Sequence, residues 1–90
     1  MYDLDCRYDT RQSFYGKAKV KETNRSKELY SYNTLTARIT WRTAGKVIYK
    51  YYGCFSQTTT RHQKEFFRQE GLTEKELDEL FKNGTLEKYL

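Results

Sequence analysis

His62 is the only histidine in the chain, and no serine or cysteine stands beside it in sequence to complete a hydrolase arrangement. Four residues separate it from Phe66, on the helix face opposite Arg61, Lys64 and Arg68. That placement predicts a partly buried histidine hydrogen-bonded to the Thr-rich stretch at 56–60. Cys6, Cys54 and His62 carry zinc-capable atoms but lack ligand-pair spacing such as Cys-x-x-Cys, so neither a metal nor a cofactor is expected. Glu74, Glu76, Asp78 and Glu79 read as a solvated helix face that compensates the N-terminal dipole. No Gly-rich loop has a phosphate-cradling pattern. The expectation is a protein that is not an enzyme.

Binding chemistry is written more plainly. In a first run Tyr15, Lys17, Lys19 and Lys21 alternate with Phe14, Gly16, Ala18 and Val20. In a second, Leu35, Ala37, Ile39 and Trp41 oppose Tyr30, Tyr32, Arg38 and Arg42, and a third run adds Lys50 and Tyr52. Strand side chains alternate between faces, so this spacing predicts a sheet that is apolar on one side and basic-aromatic on the other. Lysine and arginine neutralise phosphates, and tyrosine rings stack unpaired bases at ~1–3 kcal/mol each. Arg61, Lys64 and Arg68 share a narrow arc of a helix and form a second candidate ridge for a phosphate backbone. The same residue types also suit protein hot spots and cross-strand packing, and cations on a thin sheet suppress edge-to-edge pairing.

The elements that must position these groups follow from local signals. Residues 1–12 carry alternating charge and read as an arm or an edge strand. Strands are predicted over Ser13–Glu22, Glu28–Arg42 and Val47–Phe55, with a bend or bulge at Tyr32-Asn33-Thr34 in the long middle one. Thr23-Asn24-Arg25-Ser26 and Thr43-Ala44-Gly45-Lys46 supply the turns, and Gly53 breaks the third strand. Ser56, Thr58 or Thr60 caps a first helix, Thr60 forming a capping box with Gln63, and the helix stops at Gly71. Leu72, Thr73, Glu76 and Leu77 fit the staple, N-cap, N3 and N4 positions of a second helix that ends at Asn83-Gly84. The fold class expected is α+β. A three-stranded antiparallel sheet (13–55) precedes two helices (56–83) packed on one face, β-β-β-α-α, in a single domain over 1–90 with a tail at 84–90.

Composition bounds the rest. A 90-residue chain with 37% apolar and 17% aromatic residues has room for one small core that leans on Phe, Tyr and Trp. The net charge of +5 is uneven. Residues 13–53 hold nine Lys/Arg against two Glu, whereas residues 72–83 hold four acids against two Lys. A basic sheet beside an acidic helix suits a polyanion or an acidic protein patch. Two cysteines are too few for a disulfide scaffold, and the start at Met1-Tyr2-Asp3 has neither a basic nor an apolar leader segment. No stretch has membrane length, and the expected setting is the cytoplasm with reduced thiols.

Three motifs in order, Ser13-Phe14-Tyr15-Gly16-Lys17-Ala18, Leu29-Tyr30-Ser31-Tyr32-Asn33-Thr34 with Ala37, and Ser56-Gln57-Thr58-Thr59 with Arg61-His62, Glu65-Phe66 and Gln69, give a resemblance. They resemble a family of small uncharacterised proteins from phages and prophages of Gram-positive bacteria, over roughly residues 13–72. Gln63 departs from the aliphatic residue that family carries after the histidine, so the resemblance does not imply a fully buried face at Gln63 and Phe67. It implies a mobile-element origin, a bacterial host cytoplasm, and no reaction. Two partner classes follow. One is nucleic acid, DNA or RNA, bound on the sheet face by a monomer or homodimer. The other is a host protein or ribonucleoprotein, as for an anti-CRISPR-like inhibitor of a CRISPR-Cas or other defence nuclease. Many such inhibitors are acidic DNA mimics; a basic chain would instead grip an RNA-bound complex or an acidic protein patch. By fold analogy alone, a three-stranded sheet with a helix also resembles the DNA-binding arm domains of some integrases.

Overall fold

The computed structural model describes residues 2–4, 17–42, 45–53 and 57–89. Tyr15, Cys6, Cys54 and the Thr43-Ala44 half of the second expected turn lie outside the described residues, as does most of the first expected strand. The chain runs β1 (Tyr2–Asp3), β2 (Ala18–Glu22), β3 (Ser26–Ser31), β4 (Thr34–Arg42), β5 (Lys46–Tyr51), α1 (Gln57–Gln69), α2 (Glu74–Asn83) and β6 (Thr85–Tyr89). All six strands form one antiparallel sheet in sequence order. The α+β class and the two helices packed on an antiparallel sheet are as expected; the count of three strands is corrected to six.

The long middle strand is where the expectation fails most instructively. Tyr32 and Asn33 take φ of 51° and 68°, the left-handed values that both central residues of a tight hairpin turn require. The segment Glu28–Arg42 is therefore two strands, β3 and β4, and Tyr32 sits at a turn tip instead of on a strand face. A bulge exists as well, but further on. Leu29 pairs with Ala37 while Tyr30 pairs with Leu35, so Thr36 is the extra residue. Its hydroxyl donates to the Leu29 carbonyl at 3.3 Å. Its carbonyl accepts from the Tyr52 backbone N–H at 3.1 Å and from Gln63 Nε2 at 2.8 Å. The bulge resets the alternation, and Leu35 lands in register with Tyr30 instead of sharing a face with Ala37.

Both helices cover the same side of the sheet. Val20, Leu29, Ala37, Ile39, Val47 and Tyr49 line that side and pack with Phe66, Phe67, Leu72, Leu77 and Leu80. Phe67 meets Phe66 and Tyr49 edge-on, with centroids at 5.3 and 6.3 Å, and Phe81 stacks on Tyr51 at 4.4 Å. Gln63 and Phe67 are both fully buried, so the departure at position 63 does not open this helix face. The amide donates to the bulge carbonyl.

The helix limits follow their chemistry. α1 starts at Gln57, ahead of Thr60, so the Thr60–Gln63 box is not the cap and both residues lie inside the helix. At α2 the reciprocal box is complete: the Glu76 N–H donates to Thr73 Oγ1 at 3.2 Å and the Thr73 N–H donates to Glu76 Oε1 at 2.9 Å. Gly84, at φ 79°, ends the helix and returns its N–H to the Leu80 carbonyl at 2.7 Å. Within the expected tail at 84–90, Thr85–Tyr89 form β6, which pairs with β5 from Lys46↔Tyr89 to Lys50↔Thr85.

Candidate nucleic-acid interface

With both helices on one side, no described element covers the other. Register places its occupants in rows that run across the strands. Asp3, Lys19, Tyr30 and Leu35 form one row, and Lys21, Glu28, Arg38, Lys50 and Thr85 form the next. Thr40, Ile48 and Glu87 follow, and Lys46 lies opposite Tyr89. Arg42 pairs with Lys46 in the ladder.

Lys19, Lys21 and Lys50 are exposed. Arg38 behaves differently, because Glu28 faces it from β3. Arg38 Nε donates to Glu28 Oε2 at 3.0 Å, and Nη2 bonds the same oxygen. That hydrogen bond holds the Arg38 guanidinium above its ordinary pKa against a smaller burial penalty, and the Glu28 charge adds to it. Glu28 is 9% exposed, and the Tyr30 hydroxyl donates to its other oxygen at 3.4 Å. At the far edge Lys46 pairs with Glu87 at 3.0 Å and lies 5.7 Å from the centroid of the Tyr89 ring. Among the described side chains of the paired rows, Lys19, Lys21, Arg38, Lys46 and Lys50 outnumber Asp3, Glu28 and Glu87 by two.

The described candidate positions do not form one surface. Lys19, Lys21, Tyr30, Arg38 and Lys50 come together on the open face, with Lys17 exposed at the turn before β2 and Tyr52 half-buried just after β5. Tyr32 is 52% exposed at the β3–β4 turn, its ring 6.0 Å from that of His62. Arg61, Lys64 and Arg68 ride on α1, on the other side of the sheet, and Arg68 pairs with Glu74. The helical ridge and the sheet face are therefore separated by the whole thickness of the core.

His62 is fully buried, not partly, and Nδ1 lies 2.8 Å from Ser31 Oγ on the sheet, which lies 3.1 Å from Thr59 Oγ1. Within the Thr-rich segment, Gln57 to Thr60 form the first turn of α1. Ser31 is 2% exposed, so this Ser–His pair sits in the interior and ties α1 to β3. On the same side, a cavity of about 130 Å³ lies between the β1 edge and the end of α1, bordered by Tyr2, Asp3, Lys27, Phe66 and Glu70. No described helix is long and apolar enough to cross a membrane.

Two contributors to the open face were not read from the sequence. Glu28 shares strand parity with Tyr30 and therefore had to face the basic side. Thr85, Glu87 and Tyr89 alternate with Leu86 and Lys88 directly after a helix-ending glycine, which is a strand signature in a short span.

The model of a family of unknown function, DUF8033, matches residues 2–83. No curated protein and no solved structure matches the chain.

Proposed function

The chain belongs to that family of unknown function, and for it we propose a non-catalytic binding role in which the open sheet face takes nucleic acid. The observation that carries this reading is the one-sided packing: both helices cover one face, and the other keeps Lys19, Lys21 and Lys50 exposed around Tyr30. Counterion release from phosphates favours such a face. The resemblance to phage proteins suggests a bacterial cytoplasm as its setting.

The test is a titration of labelled DNA and RNA at low and physiological salt, with Lys19→Glu/Lys50→Glu as the control. Affinity that falls steeply with salt and disappears in the double variant supports the reading. Salt-insensitive affinity, or none, sinks it.

A protein-directed role, such as inhibition of a host defence nuclease, is favoured by a different observation. Tyr89 is 73% exposed beside the Lys46–Glu87 pair and the half-buried Ile48, a mixed-sign, aromatic corner of the kind protein partners use.

A further inference from the structure

We infer that the ligand of the open face is a single strand of nucleic acid with unpaired bases, laid across β2 to β5. The inference rests on the nucleic-acid reading above and narrows it.

Width is the first argument. The major groove of a duplex is ~12 Å wide and admits a helix or a two-stranded ribbon. Six strands at ~4.8 Å spacing make a face about 24 Å across, and no described element projects from it. A duplex could touch this face only along its phosphates.

Chemistry is the second argument. Lys21, Arg38 and Lys50 fall in one row perpendicular to the strands, spanning three strand spacings, or about 14 Å. Glu28 interrupts that row, but it is nearly buried and its charge is met by Arg38. The neighbouring row sets Tyr30 opposite Leu35, an apolar floor directly beside the cations. The Tyr30 hydroxyl is tethered to Glu28, which restrains the ring. Cations flanking an aromatic-aliphatic floor suit a backbone on one side and splayed bases on the other. A duplex keeps its bases stacked inside and would leave Tyr30 and Leu35 idle.

The experiment is fluorescence anisotropy with a labelled oligothymidylate and with a mixed-sequence duplex of the same length, on the intact chain and on Tyr30→Ala and Tyr30→Phe. The expected result is single-strand binding at least about tenfold tighter than duplex binding. Tyr30→Ala should then weaken the single strand roughly tenfold or more while sparing the duplex, and Tyr30→Phe should retain it. Equal affinity for both ligands overturns the inference and leaves the nucleic-acid reading standing. Absence of binding to either removes both together. The unmodified chain's preference decides the matter even where Tyr30→Ala does not fold.

Discussion

On the helix-covered side of the sheet, polar side chains reach out of the sheet as well as along it, where Lys27 also pairs with Glu22 at 3.2 Å. Lys27 bonds Glu70 at 2.8 Å, Lys88 bonds Glu76 at 2.9 Å, and Ser31 bonds His62. On the open side they reach sideways within it, Arg38 to Glu28 and Lys46 to Glu87. The same strand alternation produces both. A lysine facing a helix finds a carboxylate above it and becomes a tie between layers. Burial depresses the Lys27 ammonium, yet the Glu70 bond and charge together with the Glu22 bond outweigh it and leave the pKa raised. A lysine facing solvent finds only neighbouring strands, and where these set no acid opposite it, as at Lys50 between Arg38 and Thr85, its charge stays available to a ligand.

The contrast predicts that stability resides in the covered side and binding in the open one. The largest effect should come from Phe67→Ala, which empties the centre of the aromatic cluster and costs about 3–5 kcal/mol in denaturant unfolding. A loss below about 1 kcal/mol would mean the helices are not packed as described. Next is Glu28→Gln on the open side. It should cost only about 1 kcal/mol, because Arg38 is partly solvated, and it should tighten salt-dependent nucleic-acid binding by removing an acid from the cation row. A variant that loses both stability and affinity would make Glu28 a positioning residue for Arg38.

The smallest effect lies in the Glu76–Lys88 tie, worth less than about 1 kcal/mol. The hydrogen bond from Lys88, then that from the Thr73 backbone, holds the Glu76 carboxyl below its ordinary value of 4.5. Its contribution is therefore complete above that value and lost as pH falls through the lower folded one. Melting temperatures of the unmodified chain and Glu76→Gln should differ at neutral pH and converge in acid. Parallel curves would dissociate the tie from stability.

The sequence disclosed elements wherever a residue type had one local use. Thr73 and Glu76 can reciprocate only at a helix start, and Gly84 suits the left-handed stop. The apolar halves of β2 and β5 fall on the covered face as their alternation requires. It misled where a residue served an uncommon role. Tyr32 is no usual occupant of a left-handed turn position, so β3 and β4 read as one strand, and the Thr36 bulge then moved Leu35 across the sheet. β6 was obscured because its five residues depend on pairing with β5, a partner distant in the chain. For the site, the basic row on β2, β4 and β5 was legible. Glu28's side of the sheet was legible from its parity with Tyr30, but its pairing with Arg38 depends on cross-strand register, and the separation of the α1 ridge from the sheet face depends on tertiary packing.

The β5–β6 pairing has a consequence for the order of assembly. Neighbouring strands from β2 to β5 are joined by short connections, but β5 meets β6 only after both helices have been traversed. Closing that longer loop costs more entropy, so the outer edge of β5 is the last to be satisfied as the chain folds. Until Thr85–Tyr89 docks, its backbone groups are open to any extended peptide nearby. Amides along that edge should exchange with solvent together with those of α2, as one unit that opens before the inner strands do.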